Sequence, residues 1–220
     1  MPRKRLLVSD FIPYHVTGRG NNREAFPVDP ALTWRIFTDE CYSLHALYGA
    51  EIHAFTLMPN HFHMLITVPQ YDLGKVMDIF MSNVTRMINL NSGRSGHVFG
   101  GPYYWSLINS GGYYCHAFRY VYQNPVRAFI CSKVEDYPFS TLQGLLGMKH
   151  LPFPLYYPRC GHGSSLVSKT TEQLLNWLNE PVVEAAVKSI RKGLRYSEFK
   201  PPRDRNTRIP IIEAEEMTQT

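Results

Sequence analysis

Two histidines one residue apart, His61 and His63, stand in a stretch that reads as a β-strand. Side chains at i and i+2 of a strand leave the same face, roughly 7 Å apart. Two imidazoles there can converge on one cation while Phe62 turns the other way into a core. Neutral imidazole is a good ligand for divalent metals, yet an H-x-H pair taken alone also fits a surface or core pair. A second chemical element lies in Phe118-Arg-Tyr-Val-Tyr-Gln-Asn-Pro-Val-Arg127. Tyr120 and Asn124 are spaced i and i+4 and share a helical face. Asn124 precedes Pro125, which places it at the expected helix end with its amide free to reach a ligand. The chain has 14 tyrosines, so one alone says little. As a nucleophile a phenol needs help, because its free pKa is about 10; a divalent metal polarising a phosphate lowers that demand.

The elements that must position these groups follow from periodicity and punctuation. Phe11 to Gly18 reads as a strand closing in a turn with Gly18 and Gly20. A helix follows Pro30, with Leu32, Ile36, Phe37, Cys41, Leu44 and Leu47 at three-or-four spacing. Glu51 to Met58 alternates as a strand, with Ile52, Ala54 and Thr56 on one face and His53, Phe55 and Leu57 on the other. Pro59-Asn60 then turns the chain into a second strand, His61 to Val68, completing an antiparallel hairpin. A helix over Leu73–Leu90, a break at Asn91–Gly96, a strand over Tyr103–Ile108 and a helix over Tyr113–Gln123, stopped near Pro125, complete the unit. That order predicts an α+β, ferredoxin-like sandwich: a central antiparallel sheet covered by helices, with a C-terminal helical and basic extension. The catalytic domain is expected over 1–148, a linker rich in Pro, Gly and Ser over 149–168, and a helical segment with a basic tail over 169–220.

Composition narrows the classes. With 220 residues, 44% hydrophobic and 19% charged, the chain can build a core. No apolar run approaches the roughly eighteen residues of a membrane span, and the basic N-terminus has too short an apolar stretch for a signal peptide. A cytoplasmic, nucleoid-associated protein with no membrane partner is expected. Cys41, Cys115, Cys131 and Cys160 form no C-x-x-C pair, which argues against a zinc finger or a disulfide framework. The net charge is +5. Its densest part is Lys188 to Arg208, where Lys and Arg recur against only Glu198 and Asp204: a solvated tail, or an arm that contacts phosphates.

Four stretches carry a resemblance. Met58-Pro-Asn-His-Phe-His-Met-Leu65, followed by Arg119-Tyr-Val-Tyr-Gln-Asn-Pro-Val-Arg-Ala128, resembles the single-tyrosine HUH transposases, above all the REP-associated tyrosine transposases of bacterial genomes. Tyr14-His-Val-Thr-Gly-Arg-Gly-Asn-Asn-Arg23 resembles the family's opening strand and loop, and Gly96-His-Val-Phe99 the segment before its fourth strand. Any one motif is loose; four in register are specific. The resemblance implies that His61 and His63 are metal ligands holding Mg2+ or Mn2+, that Asn124 completes the metal site, and that Tyr120 attacks a DNA phosphorus to leave a 5′-phosphotyrosine and a free 3′-hydroxyl. It implies the same ferredoxin-like core, a substrate of single-stranded or hairpin DNA, and room for a homodimer, since the wider family includes dimers that share active sites. The chain departs from the family at Gly100-Gly-Pro-Tyr-Tyr-Trp105, where basic residues usually follow.

Around this centre, Arg19, Asn21, Asn22 and Arg23 on a Gly-flanked loop are candidate DNA contacts, with a solvated turn as the plainer reading. Arg119 and Arg127 flank the tyrosine and fit either DNA contacts or internal salt bridges. Tyr103, Tyr104 and Trp105 could stack on unpaired bases, although strand alternation sends at least one into the core. His15, His53 and His97 read as packing or hydrogen-bonded residues. Three functions fit: a DNA nickase and strand-transferase, a domesticated protein that binds hairpin DNA without cutting, or a metal-dependent hydrolase that uses water and not Tyr120.

Overall fold

Two strands joined by the tight turn Pro59-Asn60 carry the paired histidines. In the computed structural model, which describes residues 6–157, 166, 168–203, 210 and 212, they are β2 (Glu51–Met58) and β3 (His61–Thr67). Around them in chain order lie β1 (Tyr14–Arg19), α1 (Pro30–Tyr48), α2 (Leu73–Ser92), β4 (Tyr104–Leu107), α3 (Gly111–Arg127), the short α4 (Leu142–Leu145), α5 (Thr171–Asn179) and α6 (Glu184–Gly193). The sheet order is β2-β3-β1-β4, every pair antiparallel, so β3 and β1 are the interior strands. This is the α+β sandwich expected from the element order.

Local chemistry sets the helix limits. Asp29 caps α1 by accepting from the Ala31 and Leu32 amides, Pro30 fits the first turn, and Gly49 ends the helix in a left-handed conformation. Asp72 and Gly93 do the same for α2. Both helices cover one face of the sheet over Tyr14, Val16, Ile52, Phe55, Leu57, Phe62, Met64 and Ile66. The opposite face lies under α3, whose Tyr114, Ala117, Phe118, Val121 and Tyr122 form a second core.

Three sequence expectations change. The simple alternation proposed for β2 breaks at a bulge between Ile52 and Ala54. His53 and Ala54 therefore turn toward α3, and Ile52, Phe55 and Leu57 share the other face. The helix expected to stop near Pro125 continues through it to Arg127. Every residue from Ala117 to Pro125 in α3 is buried, so packing outweighs one lost backbone bond near the helix end. Gly18 is not a turn glycine but lies inside β1, opposite Phe62.

That glycine makes room for the ring that keeps the histidines on the far face. A Cβ on Gly18 would stand 2.6 Å from Cε1 of Phe62, and Phe62 is locked among Phe37, Phe55, Phe80 and Phe99. Gly18→Ala should therefore cost about 1–3 kcal/mol by overpacking. Urea denaturation reads this as a lower midpoint; an unchanged midpoint would show that the aromatic cluster yields.

The region after residue 170 returns to α3 and contributes Leu174, Leu178, Ala186, Ile190, Leu194 and Phe199 to the second core. The Thr170 capping box starts α5. Beyond α6 the chain runs beside β4, where the Leu107 amide donates to the Ser197 carbonyl and the Phe199 amide to the Leu107 carbonyl. The outer edge of β2 is covered too: the Leu57 amide donates to Phe139 and the Thr141 amide to Phe55. Both sheet edges are thus shielded from pairing with another chain. No helix among the described residues is long and apolar enough to cross a membrane.

Candidate functional site

Because β3 alternates, His61 and His63 emerge on the α3 side of the sheet, their ring centroids 5.1 Å apart. Tyr120 projects from α3 onto the same place, with its ring edge-on to His63 at 5.4 Å and to His15 of β1 at 6.0 Å. A helix and two neighbouring strands thus bring a phenol against the imidazole pair. Tyr120 is buried but retains 8% exposure, and a cleft opens beside it between α3 residues His116, Gln123 and Arg127 and Val183 and Val187 of the C-terminal region.

Hydrogen bonds orient both histidines. Asn60 in the hairpin turn donates its amide to the Arg23 carbonyl at 2.6 Å. That fixes its Oδ1 as the acceptor facing His61 Nδ1 at 2.7 Å, so Nε2 is the His61 nitrogen left for a ligand. His63 Nδ1 lies 3.0 Å from His15 Nε2, with the two rings stacked. Among the described residues no three His, Cys, Asp or Glu side chains converge as a metal cluster. His15, although close, turns its Nε2 to His63 rather than to a common centre. His61 and His63 are the candidate imidazole donors here, with the Asn124 amide oxygen as a candidate third. Asn124 is not at a free helix end: it is buried, and its amide donates to the Tyr120 carbonyl at 2.7 Å. Its Oδ1 is the atom left to face a ligand.

The electrostatics keep these rings neutral. Burial lowers His15 to about 3. Burial, then Arg19 and Arg191, lower His61 to about 4. Burial first, then His15, His61, Arg19 and Arg191, hold His63 well below the usual imidazole range. His53, hydrogen-bonded to Thr67 at 2.8 Å, is lowered by burial to about 3. Unfolded imidazoles titrate near 6.5, so below that pH the unfolded chain takes up protons that the folded chain refuses. Stability should be full above about pH 7 and fall as pH drops through 6.5 toward 4. At about pH 5 each of His15, His53 and His61 should cost about 2 kcal/mol, together on the order of half the stability of an ordinary domain. Denaturation midpoints at about pH 7.5 and pH 5 check this; equal midpoints would contradict the neutral, buried rings.

The other expected contacts divide. Arg19 is exposed at the end of β1 beside the histidines. Asn21–Arg23 form an exposed 3-10 turn in which Asn22 and Arg23 adopt positive φ, held by the Gly20 amide on the Asn60 carbonyl. Asn21 also lines a polar cleft with Asn89, Arg94 and His97. Arg119 is spent inside the fold, donating to the Glu180 carbonyl at 2.8 Å and lying over Trp177. Arg127 pairs with Glu184 at 3.8 Å. Of the three aromatics, Tyr103 and Trp105 are core and Tyr104 alone is exposed, at 71%. Cys41, Cys115 and Cys131 are in no disulfide among the described residues; His162, Cys160, Arg205 and Arg208 lie outside the described residues.

Two residues here have a place that the sequence did not specify. His15 read as a packing or hydrogen-bonded residue, and the pairing of β1 with β3 identifies His63 as its partner. Arg191 read as part of a basic tail, yet the return of α6 onto α3 brings it to the histidines; the one available signal was the apolar stripe Ala186, Val187 and Ile190 that docks the helix.

An antiparallel α+β sheet that presents paired histidines from a central strand to a tyrosine on the covering helix is the architecture of the single-tyrosine HUH proteins. The chain belongs to the IS200-like transposase family, whose sequence model matches residues 11–133. Among solved structures it is similar to a REP-associated tyrosine transposase bound to a REP hairpin, with 17% identity and a TM-score of 0.54 over 84% of this chain and 99% of that one. A crystal structure of a putative transposase from Deinococcus radiodurans R1 also matches, with 19% identity and a TM-score of 0.36 over 48% of this chain and 84% of that one. Among curated proteins none matches.

Proposed function

We propose that the protein is a single-strand DNA transposase and nickase in which Tyr120 is the nucleophile, acting at hairpin-forming repeats. The observation that carries this reading is the packing of the Tyr120 ring against His63 and His15, with His61 beside them. The phenolic oxygen forms a bond to phosphorus and gives up its proton; the P–O3′ bond breaks and the leaving oxygen takes a proton. The products are a 5′-phosphotyrosine and a 3′-hydroxyl. The covalent link conserves the phosphodiester energy, so strand transfer needs no ATP.

His61 and His63, with Asn124, would hold Mg2+ or Mn2+. Their free Nε2 atoms and an amide oxygen are hard or borderline donors with no thiolate among them, which fits such an ion better than structural zinc. When bound, the ion supplies Lewis-acid charge to a phosphate oxygen. Arg19 from β1 and Arg191 from α6 add positive charge felt by both histidines, which suits a scissile phosphate. The exposed turn Asn21, Asn22 and Arg23 is suited to hold the hairpin next to the cut, and Tyr104 to stack on an unpaired base. Arg127 borders the cleft and is within reach of DNA, whereas Arg119 holds the C-terminal helices in place. One subunit supplies both histidines and the tyrosine, so a homodimer is not required to assemble the site. The catalytic unit extends past residue 148 to include α5 and α6, and the work is cytoplasmic, at the nucleoid.

The test is incubation of the protein with end-labelled hairpin DNA and Mn2+, followed by denaturing electrophoresis. A DNA–protein adduct that survives denaturation is the expected result. Cleavage without an adduct would favour the water-using hydrolase. Binding without cleavage would favour the non-cutting hairpin binder, the reading that the missing basic residues over Gly100–Trp105 support.

A further inference from the structure

Each proposed ligand has its Nδ1 engaged by a neighbour, but the two neighbours differ. Asn60 is a hairpin-turn residue next to His61 in sequence. His15 comes from another strand, 48 residues away from His63, and is not one of the proposed ligands. The β1–β3 register pairs His15 with Leu65 and Thr17 with His63, so His15 reaches His63 diagonally across the ladder. Both rings are almost fully buried, at 2% and 6% exposure, stacked at 5.2 Å with an interplanar angle of 29°. Neither can reorient without disturbing the other or the Tyr120 ring that meets both edges-on.

We propose that His15 is a positioning residue that fixes the tautomer and orientation of His63, its Nε2 accepting a hydrogen bond from the Nδ1–H of His63 so that the Nε2 lone pair of His63 faces the metal and Tyr120. Two neutral imidazoles bonded nitrogen to nitrogen allow two arrangements: His63 donates from Nδ1, or His15 donates from Nε2. Only the first leaves His63 Nε2 with a lone pair for a cation. In the second, Nε2 carries the ring proton and His63 cannot ligate from that atom. Metal-binding histidines generally donate their second ring nitrogen to an acceptor, and loss of that acceptor costs about 10–100-fold in metal affinity. His15 fills this role with an imidazole instead of a carboxylate. It thereby adds no negative charge beside a site that must receive a phosphate. The inference rests on the reading of His61 and His63 as metal ligands.

The test combines nitrogen-15 NMR of histidine-labelled protein with Mn2+ titration. Long-range proton–nitrogen spectra of the metal-free wild type should show His63 protonated at Nδ1; protonation at Nε2 overturns the proposal without any variant. His15→Leu keeps bulk but has no acceptor, and Mn2+ should bind about 10–100-fold more weakly. His15→Gln places its Oε1 near the position of the lost Nε2 and should restore binding to within a few-fold, with His63 still protonated at Nδ1. A thermal melt of each variant separates a folding defect from a positioning defect, and the wild-type tautomer decides the matter if His15→Leu fails to fold. Equal Mn2+ affinity in wild type, His15→Leu and His15→Gln overturns the proposal and leaves the ligand assignment standing. No Mn2+ binding by the wild type overturns both.

Discussion

Tyr120→Phe should abolish covalent capture of hairpin DNA while leaving hairpin binding within a few-fold of wild type. The substitution removes one oxygen and keeps the ring whose edges meet His15 and His63, so the packing of α3 on the sheet should persist. In the proposed reaction that oxygen forms the bond to phosphorus, and the ion and cations around it only lower the barrier. Loss of a nucleophile in other enzymes removes at least about 10⁴-fold of the rate, and a comparable loss is expected in single-turnover cleavage. Cleavage by Tyr120→Phe at a rate near wild type would show that water, and not the phenol, attacks.

The second large effect comes from the histidines. His61→Ala or His63→Ala each removes one of the two proposed imidazole ligands, and His63→Ala also leaves His15 without the ring it bonds. Either should lower cleavage by about 10³-fold, the scale of losing several kcal/mol of charge stabilisation at the phosphate. Mn2+ should raise the melting temperature of the wild type, and should bind the variants weakly and leave their melting temperature unchanged. Hairpin binding should survive, because the loop contacts are separate from the ligands. Full activity in His61→Ala would remove the metal from the account.

The core of this arrangement was legible because it depends on local rules. The i, i+2 spacing puts His61 and His63 on one face, and the i, i+4 spacing puts Asn124 below Tyr120, as the bond from Asn124 to the Tyr120 carbonyl shows. The element order was legible for the same reason: capping residues such as Asp29 and Asp72 and the two-residue turn Pro59-Asn60 act within a few residues.

What the sequence hid depends on distant partners. The bulge at His53 answers to β3 and α3, not to any local signal. Pro125 announces a helix end, but the burial of α3 between the sheet and the C-terminal helices carries the helix past it. Arg119 and Arg127 flank the tyrosine as DNA contacts would, yet their acids, Glu180 and Glu184, lie about sixty residues on. The linker-like stretch before residue 170 hid the return of α5 and α6, and with it the approach of Arg191 to the histidines. His15 was hidden because a strand register, and no motif, brings it to His63.

The most direct measurement is tandem mass spectrometry of the adduct formed with a short hairpin DNA and Mn2+, after digestion of protein and DNA. The chain has 14 tyrosines, and the account predicts the 5′-phosphonucleotide on Tyr120 alone. A nucleotide on any other residue, or cleaved DNA with no modified peptide, would contradict it.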